Sequence, residues 1–242
     1  MKNRVLRYRN LTVMGYLSDF LCLVYPRVCH VCGSSLFRHE RVVCSRCLHH
    51  LPAARFTNDP SNPAAQVFWG RVPLENVLTA FLYNKGNAIQ QLIHKLKYRG
   101  MKVIGIFLGE ALGREIAAIK ENNGISCIVP VPLHPRKQRK RGFNQSEIIA
   151  AGIAKVLGVE VNTDALYRRN FSSTQTRKSK YERWQNVESI FGLRKPETVM
   201  NRHILLVDDV ITTGSTIEAC ARALLRAEGV KVSVAAVAFT RG

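Results

Sequence analysis

The feature that most constrains the fold is segment 203–216, HILLVDDVITTGST, in which an apolar run leads into a helix through a short turn. The apolar residues before Asp208 are typical of a strand buried on both faces, as in parallel sheets covered by helices. A turn of small residues follows and opens directly into a helix predicted for 216–227. We therefore expect an α/β domain with a mostly parallel sheet.

The same segment has the pattern of a site for a phosphorylated sugar. A helix N-terminus offers unpaired N–H groups and a positive dipole end, which together suit a phosphate. Just before the turn, Asp208 and Asp209 can accept hydrogen bonds from vicinal ribose hydroxyls or bind Mg²⁺. The predicted phosphate-binding residues are Thr212, Thr213, Gly214, Ser215 and Thr216. In the alternative, Ser215 or Thr216 only caps the helix and the acids are solvated. The complete sequence of segment 203–216 makes this capping alternative the weaker interpretation.

Apolar runs alternate with helical spacing through much of the chain, which indicates βαβ units. Strands are predicted at 78–83, 126–131, 159–162 (weak) and 231–239, and helices at 86–100, 107–119 and 145–157. We divide the 242 residues into a basic segment with an amphipathic helix (1–25), a cysteine module (26–52), a linker (53–75) and the α/β domain (76–242).

Four of the seven cysteines form two pairs, Cys29-x-x-Cys32 and Cys44-x-x-Cys47. Each pair can direct two sulfurs at one point, so together they predict a tetrahedral Cys₄ site for Zn²⁺. Four protein ligands close such a site, which makes the metal structural. A redox pair normally occurs once, at a helix start beside a strand, and neither pair fits that context. Replacement of one cysteine by His30 stays open.

The charge favours a polyanionic partner. Lys and Arg number 36 against 17 Asp and Glu, a net charge of +19, which points to nucleic acid, phosphorylated ligands or an anionic membrane surface. A basic protein without such a partner is the alternative.

No apolar span reaches the roughly 20 residues of a membrane helix. Leu17, Phe20, Leu21 and Val24 have the spacing of an amphipathic helix, so we expect a cytoplasmic protein without a membrane span.

A basic loop is predicted after the strand at 126–131. Such a cluster at the carboxyl end of a strand can neutralise a diphosphate, and arginine adds bidentate geometry. The residues predicted to bind pyrophosphate are Arg136, Arg139, Lys140, Arg141, Asn144 and Gln145. A solvated run of charge or a nucleic-acid patch is the open alternative.

The order of these motifs resembles the ComF/GntX family of ComF-type competence proteins. The segment VDDVITTGST (207–216) is similar to the motif of type I phosphoribosyltransferases that binds phosphoribosyl pyrophosphate (PRPP). The sequences LKYRG (96–100) and RGFNQ (141–145) also match the family, and the resemblance spans 25–240. It implies a type I phosphoribosyltransferase fold with an N-terminal zinc finger. The acids would contact the ribose hydroxyls of PRPP, bound with Mg²⁺, and the turn would hold the 5-phosphate. The extension 1–10 is not explained by the family.

The resemblance also implies a role in natural transformation, in which the protein handles incoming single-stranded DNA together with other competence proteins. Phe37, Phe56, Trp69 and Phe143 are the aromatic residues considered for base stacking. The alternative is an active, Mg²⁺-dependent phosphoribosyltransferase of nucleotide salvage. A transcription regulator on the same fold is weaker, because no helix-turn-helix is recognisable.

In the family a second basic segment closes over PRPP as a flexible loop. Segment 171–187 of this chain resembles it, with Arg177, Lys178 and Lys180 among serine, threonine and glutamine residues. A surface helix at 178–189 is an almost equally good interpretation. The resemblance implies that the cysteine module and the stretch up to Leu82 take the place of the hood that selects the base in related enzymes.

Overall fold

The computed structural model describes residues 26–56, 59, 62–119, 124–169 and 190–240. The chain forms two compact units, Met1–His50 and Leu51–Gly242. The segment 1–25 with its expected amphipathic helix and the segment with Arg177, Lys178 and Lys180 lie outside the described residues. Across the described part of the chain, no helix has the length and apolar character needed to cross a membrane.

In the first unit, helix α1 (Ser45–His49) begins directly after Cys44. Val28 and Ser35 form an antiparallel bridge around the first cysteine pair. Glu40 is buried and accepts hydrogen bonds from the backbone N–H groups of Phe37 (2.8 Å) and Ser45 (2.6 Å). Hydrogen bonds from Ser45 and Phe37 hold the pKa of Glu40 below its ordinary value. This carboxylate therefore ties the loop before α1 to the start of the helix.

The second unit is built on a parallel sheet of four strands in the order β1-β6-β5-β2. These strands are β1 (Val77–Leu82), β2 (Cys127–Pro130), β5 (His203–Ile211) and β6 (Lys231–Phe239). A small antiparallel hairpin consists of β3 (Leu166–Arg168) and β4 (Phe191–Leu193). Because β5 and β6 are central and almost fully buried, their sequences are largely continuous apolar runs.

The helices of the second unit follow the strands in βαβ order. They are α2 (Pro63–Gln66), α3 (Ala88–Arg99), α4 (Lys102–Ala117), α5 (Pro135–Arg141), α6 (Gln145–Leu157) and α7 (Ser215–Leu224). A short 3₁₀ turn, Pro196–Thr198, precedes β5. Asn87 caps α3, its side chain accepting a hydrogen bond from the N–H of Gln90 at 2.9 Å, and Gly100 ends this helix in the left-handed conformation.

Helices cover both faces of the sheet. Helix α6 contacts β2 and β5, and α4 contacts β1 and β6. The two helices meet at glycines: a Cβ on Gly109 would lie 2.2 Å from the carbonyl oxygen of Ile149. The other cluster of the core combines α7 with Ile204 and Leu206 of β5 and with Phe56, Phe68 and Val72 of the 53–75 segment. The 53–75 segment is therefore part of the packed core.

The predicted elements agree with the structure at most positions, including 145–157 and 231–239. Two predictions were wrong. The basic loop is instead helix α5, which His134 caps, Pro135 starts and Gly142 ends in the left-handed conformation. The weak strand at 159–162 is reduced to a single bridge between Val161 and Ile128. The mostly parallel sheet predicted from the sequence is confirmed.

Candidate functional site

The two acids lie at the carboxyl end of the central strand β5. Asp208 is in register with Ala236 of β6, so both acids belong to the strand itself and not to the turn after it. Since all four strands are parallel, the segments that follow β1, β2, β5 and β6 emerge at the same edge of the sheet. Ligands of open α/β sheets bind at this edge.

Asp208 is held by helix α6. Its Oδ1 accepts hydrogen bonds from the hydroxyl of Ser146 (3.0 Å) and from the N–H of Asp209 (2.8 Å). Burial, together with the charge of Asp209, raises the pKa of Asp208 to about 7, and these hydrogen bonds only partly oppose the shift. Near neutral pH this carboxyl can therefore donate or accept a hydrogen bond. Ser146 was not predicted as a site residue, although it directly follows the predicted Gln145.

Asp209 is held by helix α3. Its side chain is 8% exposed, and its Oδ2 lies 2.5 Å from Nζ of Lys97. Oδ2 of Asp209 makes no hydrogen bond with the described residues, because the angles at this contact are unfavourable for one. The contact with Lys97 is therefore an ion pair. Lys97 belongs to the LKYRG sequence but was not predicted as a site residue. It supplies the positive charge that a buried carboxylate requires.

The turn after β5 leaves donors open at the start of α7. Thr212, Thr213, Ser215 and Thr216 are exposed, whereas Gly214 is buried with φ of 72°. Among the described residues, no side chain caps α7, so the capping alternative considered from the sequence does not hold. The exposed hydroxyls and the first N–H groups of a ten-residue helix can together bind an anion.

Arg71 fixes this turn from the 53–75 segment. Its Nη1 donates to the carbonyl oxygens of Thr213 (2.9 Å) and Val67 (2.8 Å). Its Nε donates to Glu218 of α7 at 2.9 Å. The residue was missed from the sequence because nothing local connects it to a turn so distant in the chain. Gly214 faces the same segment: a Cβ there would lie 2.7 Å from both Val67 and Phe68.

The residues predicted to bind pyrophosphate fall into two groups. Arg136, Arg139 and Lys140 are exposed on α5 and remain available to an anion. The others are engaged within the chain. Arg141 donates to Gln145 and lies over the ring of Tyr98, 5.7 Å from its centroid. Asn144 is buried, caps α6 and donates to the carbonyl oxygen of Val131 at 3.0 Å.

The predicted stacking residues also fall into two groups. Phe56 and Phe143 are buried and cannot stack on a base, so their prediction was wrong. Phe37 and Trp69 are exposed. Tyr98, which was not considered, is 69% exposed. Burial of an aromatic residue depends on packing between distant segments, which residue type alone does not reveal.

Cys29, Cys32, Cys44 and Cys47 form one cluster in the first unit. Their sulfurs all lie within 4.8 Å of one another, and Cys32 and Cys44 are 3.7 Å apart. A tetrahedron of Zn–S bonds of about 2.3 Å requires sulfurs about 3.8 Å apart. Backbone N–H groups of Val31 (3.4 Å) and Cys44 (3.3 Å) donate to Sγ of Cys29, which favours the thiolate form. The donor set fits a structural metal such as Zn²⁺.

Comparisons with known proteins agree with this architecture. The phosphoribosyl transferase domain model matches residues 137–242. The chain is 31% identical to the DNA utilization protein YhgH of Salmonella typhimurium, over 88% of this chain and 91% of the relative. It is 31% identical to competence protein F of Haemophilus influenzae over 58% of this chain and 62% of the relative. It is 25% identical to competence protein ComFC of Bacillus subtilis over 92% of this chain and 87% of the relative.

The matched region 137–242 contains β5, the acids and the turn before α7, and the longer alignments extend over most of the chain. The names of these relatives agree with the family resemblance found in the sequence. The chain therefore belongs to the ComF-type family of phosphoribosyltransferase-like proteins.

Proposed function

We propose that this chain binds PRPP with Mg²⁺ and uses it in handling single-stranded DNA in the cytoplasm, together with other proteins of DNA uptake or utilization. One observation carries the proposal: the acid pair at the end of β5 is followed directly by an uncapped helix N-terminus with exposed hydroxyls. Acceptors for a diol and donors for a phosphate are thus adjacent, as a ribose 5-phosphate requires.

Each part of the ligand has its own group of residues. The turn 212–216 and the first N–H groups of α7 bind the 5-phosphate. Asp208 and Asp209 bind the ribose hydroxyls. Because Lys97 pairs with Asp209 and Oδ1 of Asp208 already accepts two hydrogen bonds, these acids suit a sugar better than an all-protein magnesium cage. Mg²⁺ would arrive on the phosphates of PRPP and neutralise part of their charge.

The DNA part of the proposal rests on charge and on the relatives. The net charge is +19, and α5 exposes Arg136, Arg139 and Lys140 at the ligand edge of the sheet. Neutralisation of phosphates supplies most of the non-specific affinity for nucleic acid. The relatives are named for DNA utilization and competence. The salvage alternative has no observation of its own in its favour, so we do not propose it. The cysteine cluster would hold a structural Zn²⁺.

The decisive experiment is calorimetric titration with PRPP and Mg²⁺. We expect binding by the parent chain and its loss in the double variant Asp208→Asn/Asp209→Asn. Asp164→Asn is the matched control, because this exposed acid undergoes the same chemical change away from the turn. Binding that survives in the double variant, or a parent chain that does not bind PRPP, would overturn the PRPP assignment.

Single-stranded DNA binding is measured on the same samples as a function of salt. Charge-driven binding predicts a linear fall of log affinity with log salt concentration, with a slope of about −0.7 for each phosphate neutralised. The triple variant Arg136→Gln/Arg139→Gln/Lys140→Gln should reduce that slope. An unchanged slope would show that α5 is not part of the DNA surface.

A further inference from the structure

We propose that Tyr98 is a stacking surface for a base of single-stranded DNA, beside the acid pair of β5. The inference deepens the proposed DNA function and rests on it, since it names where a base is held. Tyr98 is 69% exposed near the end of α3, whereas six of the twelve described Phe, Tyr and Trp side chains are buried. Packing among the described residues does not account for a ring left in solvent at this position.

The surroundings of Tyr98 distinguish it from the other exposed rings. Among the described residues, it is the one exposed aromatic side chain with a guanidinium within 6 Å of its ring centroid, that of Arg141 at 5.7 Å. Arg141 is held in place by Gln145. His94, one turn earlier on α3, packs against the ring with centroids 4.6 Å apart. The imidazole and the guanidinium restrict the orientations of the ring while the residue stays 69% exposed, and the cation is placed to meet a phosphate.

A groove of about 490 Å³ adjoins the ring, within the size range of ligand sites. Its described lining contains three cations, Lys95, Lys97 and Arg99, and no acid. Lys97 also pairs with Asp209, so one side chain separates the groove from the PRPP site. On the other side, Arg141 ends α5, whose exposed cations can follow a phosphate backbone. Aromatic and basic groups alternate here as in proteins that bind single strands.

The occupant is a strand of DNA and not a free nucleotide, because the cations extend along α5 beyond the reach of one phosphate. Stacking tolerates every base, so we expect little sequence preference. A mononucleotide should therefore bind far more weakly than a strand of about 12 nucleotides, a length typical of such sites.

The test measures anisotropy of a labelled oligothymidylate of about 12 nucleotides and of an abasic strand with the same number of phosphates. We expect Tyr98→Ala to bind the oligothymidylate about tenfold more weakly, whereas binding of the abasic strand stays unchanged. Tyr98→Phe should retain parental affinity for both strands. Met200→Ala, which removes an exposed apolar side chain elsewhere in the same unit, should not alter binding.

Other outcomes overturn the inference in distinguishable ways. Unchanged oligothymidylate binding by Tyr98→Ala, or an equal loss on both strands, refutes stacking at Tyr98 and leaves the proposed DNA function standing. A parent chain that binds neither strand refutes both the inference and the DNA function. PRPP binding of Tyr98→Ala, titrated in parallel, should equal that of the parent chain and shows that the acid site is intact.

Discussion

Lys97 Nζ lies 2.5 Å from Oδ2 of Asp209 and joins the end of helix α3 to the end of the central strand β5. Most of the Lys97 side chain and nearly all of the Asp209 side chain are removed from solvent. A buried carboxylate without a partner would be costly, so the lysine supplies the compensating charge for Asp209 at the ligand edge. The pair also connects the acid site to the groove beside Tyr98.

Lys97→Met removes this partner and keeps much of the side-chain volume. We expect the free energy of unfolding to fall by about 2–3 kcal/mol, below the full cost of breaking a buried pair because Lys97 is partly exposed. Urea denaturation measures the change. Lys155→Met is the matched control, since it breaks an exposed pair with Glu110 and should cost under about 1 kcal/mol. Equal effects would mean that Lys97 is only a surface charge.

Asp208 predicts a specific dependence of stability on pH. Burial and the charge of Asp209 raise its pKa from 3.8 to about 7. Between these values the folded chain keeps a proton that the unfolded chain has lost, so this residue's stabilising contribution declines as pH rises from about 4 to about 7. The slope from one group cannot exceed about 1.4 kcal/mol per pH unit.

Asp208→Asn removes that contribution, so its urea-unfolding profile should fall less steeply between about pH 4 and pH 7 than the parent's. Comparison of the parent and variant profiles cancels the contributions of the other titrating groups, because both chains contain them. Asp164→Asn, an exposed acid, should keep the parental profile. Parallel profiles for the parent chain and Asp208→Asn would show that Asp208 titrates normally.

Gly214→Ala tests the close contact between the turn and the 53–75 segment. A Cβ would meet Val67 and Phe68 at 2.7 Å in a backbone of positive φ. We expect a loss of about 2–4 kcal/mol in unfolding free energy and weaker PRPP binding. Gly100→Ala is the control, because its φ of 66° is similar but its surroundings are open, which limits the cost to about 1 kcal/mol. Similar losses of unfolding free energy in the two variants would mean that backbone strain alone, and not the contact with Val67 and Phe68, destabilises Gly214→Ala.

Arg71→Met removes the donor that holds the carbonyl of Thr213. We expect PRPP affinity to fall about tenfold, because one charge-assisted hydrogen bond no longer fixes the turn. Stability should fall by only about 1–2 kcal/mol, since Arg222 still pairs with Glu218. Titration and urea unfolding separate the two effects. Arg194→Met breaks an exposed pair with Asp164 and should change neither quantity.

The cysteine cluster predicts one zinc ion per chain, measured by elemental analysis of the purified protein. Cys44→Ser should abolish the zinc content, because three thiolates and a hydroxyl bind Zn²⁺ poorly. Cys127→Ala, a buried thiol of strand β2 outside the cluster, should retain it. Zinc that survives in Cys44→Ser would mean that another residue supplies the fourth ligand.

The sequence by itself determined the features that local chemistry controls. The apolar run of β6 and the helix from Gln145 to Leu157 were predicted with their observed bounds, because periodicity and end residues are local signals. The sequence likewise predicted the acid pair, the turn before α7 and the two cysteine pairs, because the residues of each feature are contiguous or closely spaced. Helix α5 was missed, although Pro135 and Gly142 mark its ends, because its five charged residues suggested a phosphate-binding loop.

Only the tertiary structure decided which distant residues complete the site. Lys97, Ser146 and Arg71 reach Asp209, Asp208 and Thr213 from three separate segments. It also decided that Phe56 and Phe143 are buried whereas Tyr98 is exposed. Partners and burial depend on how the segments pack around the sheet, and no pattern within one segment carries that information. The sequence therefore determined the chemistry of the turn, and the fold determined its surroundings.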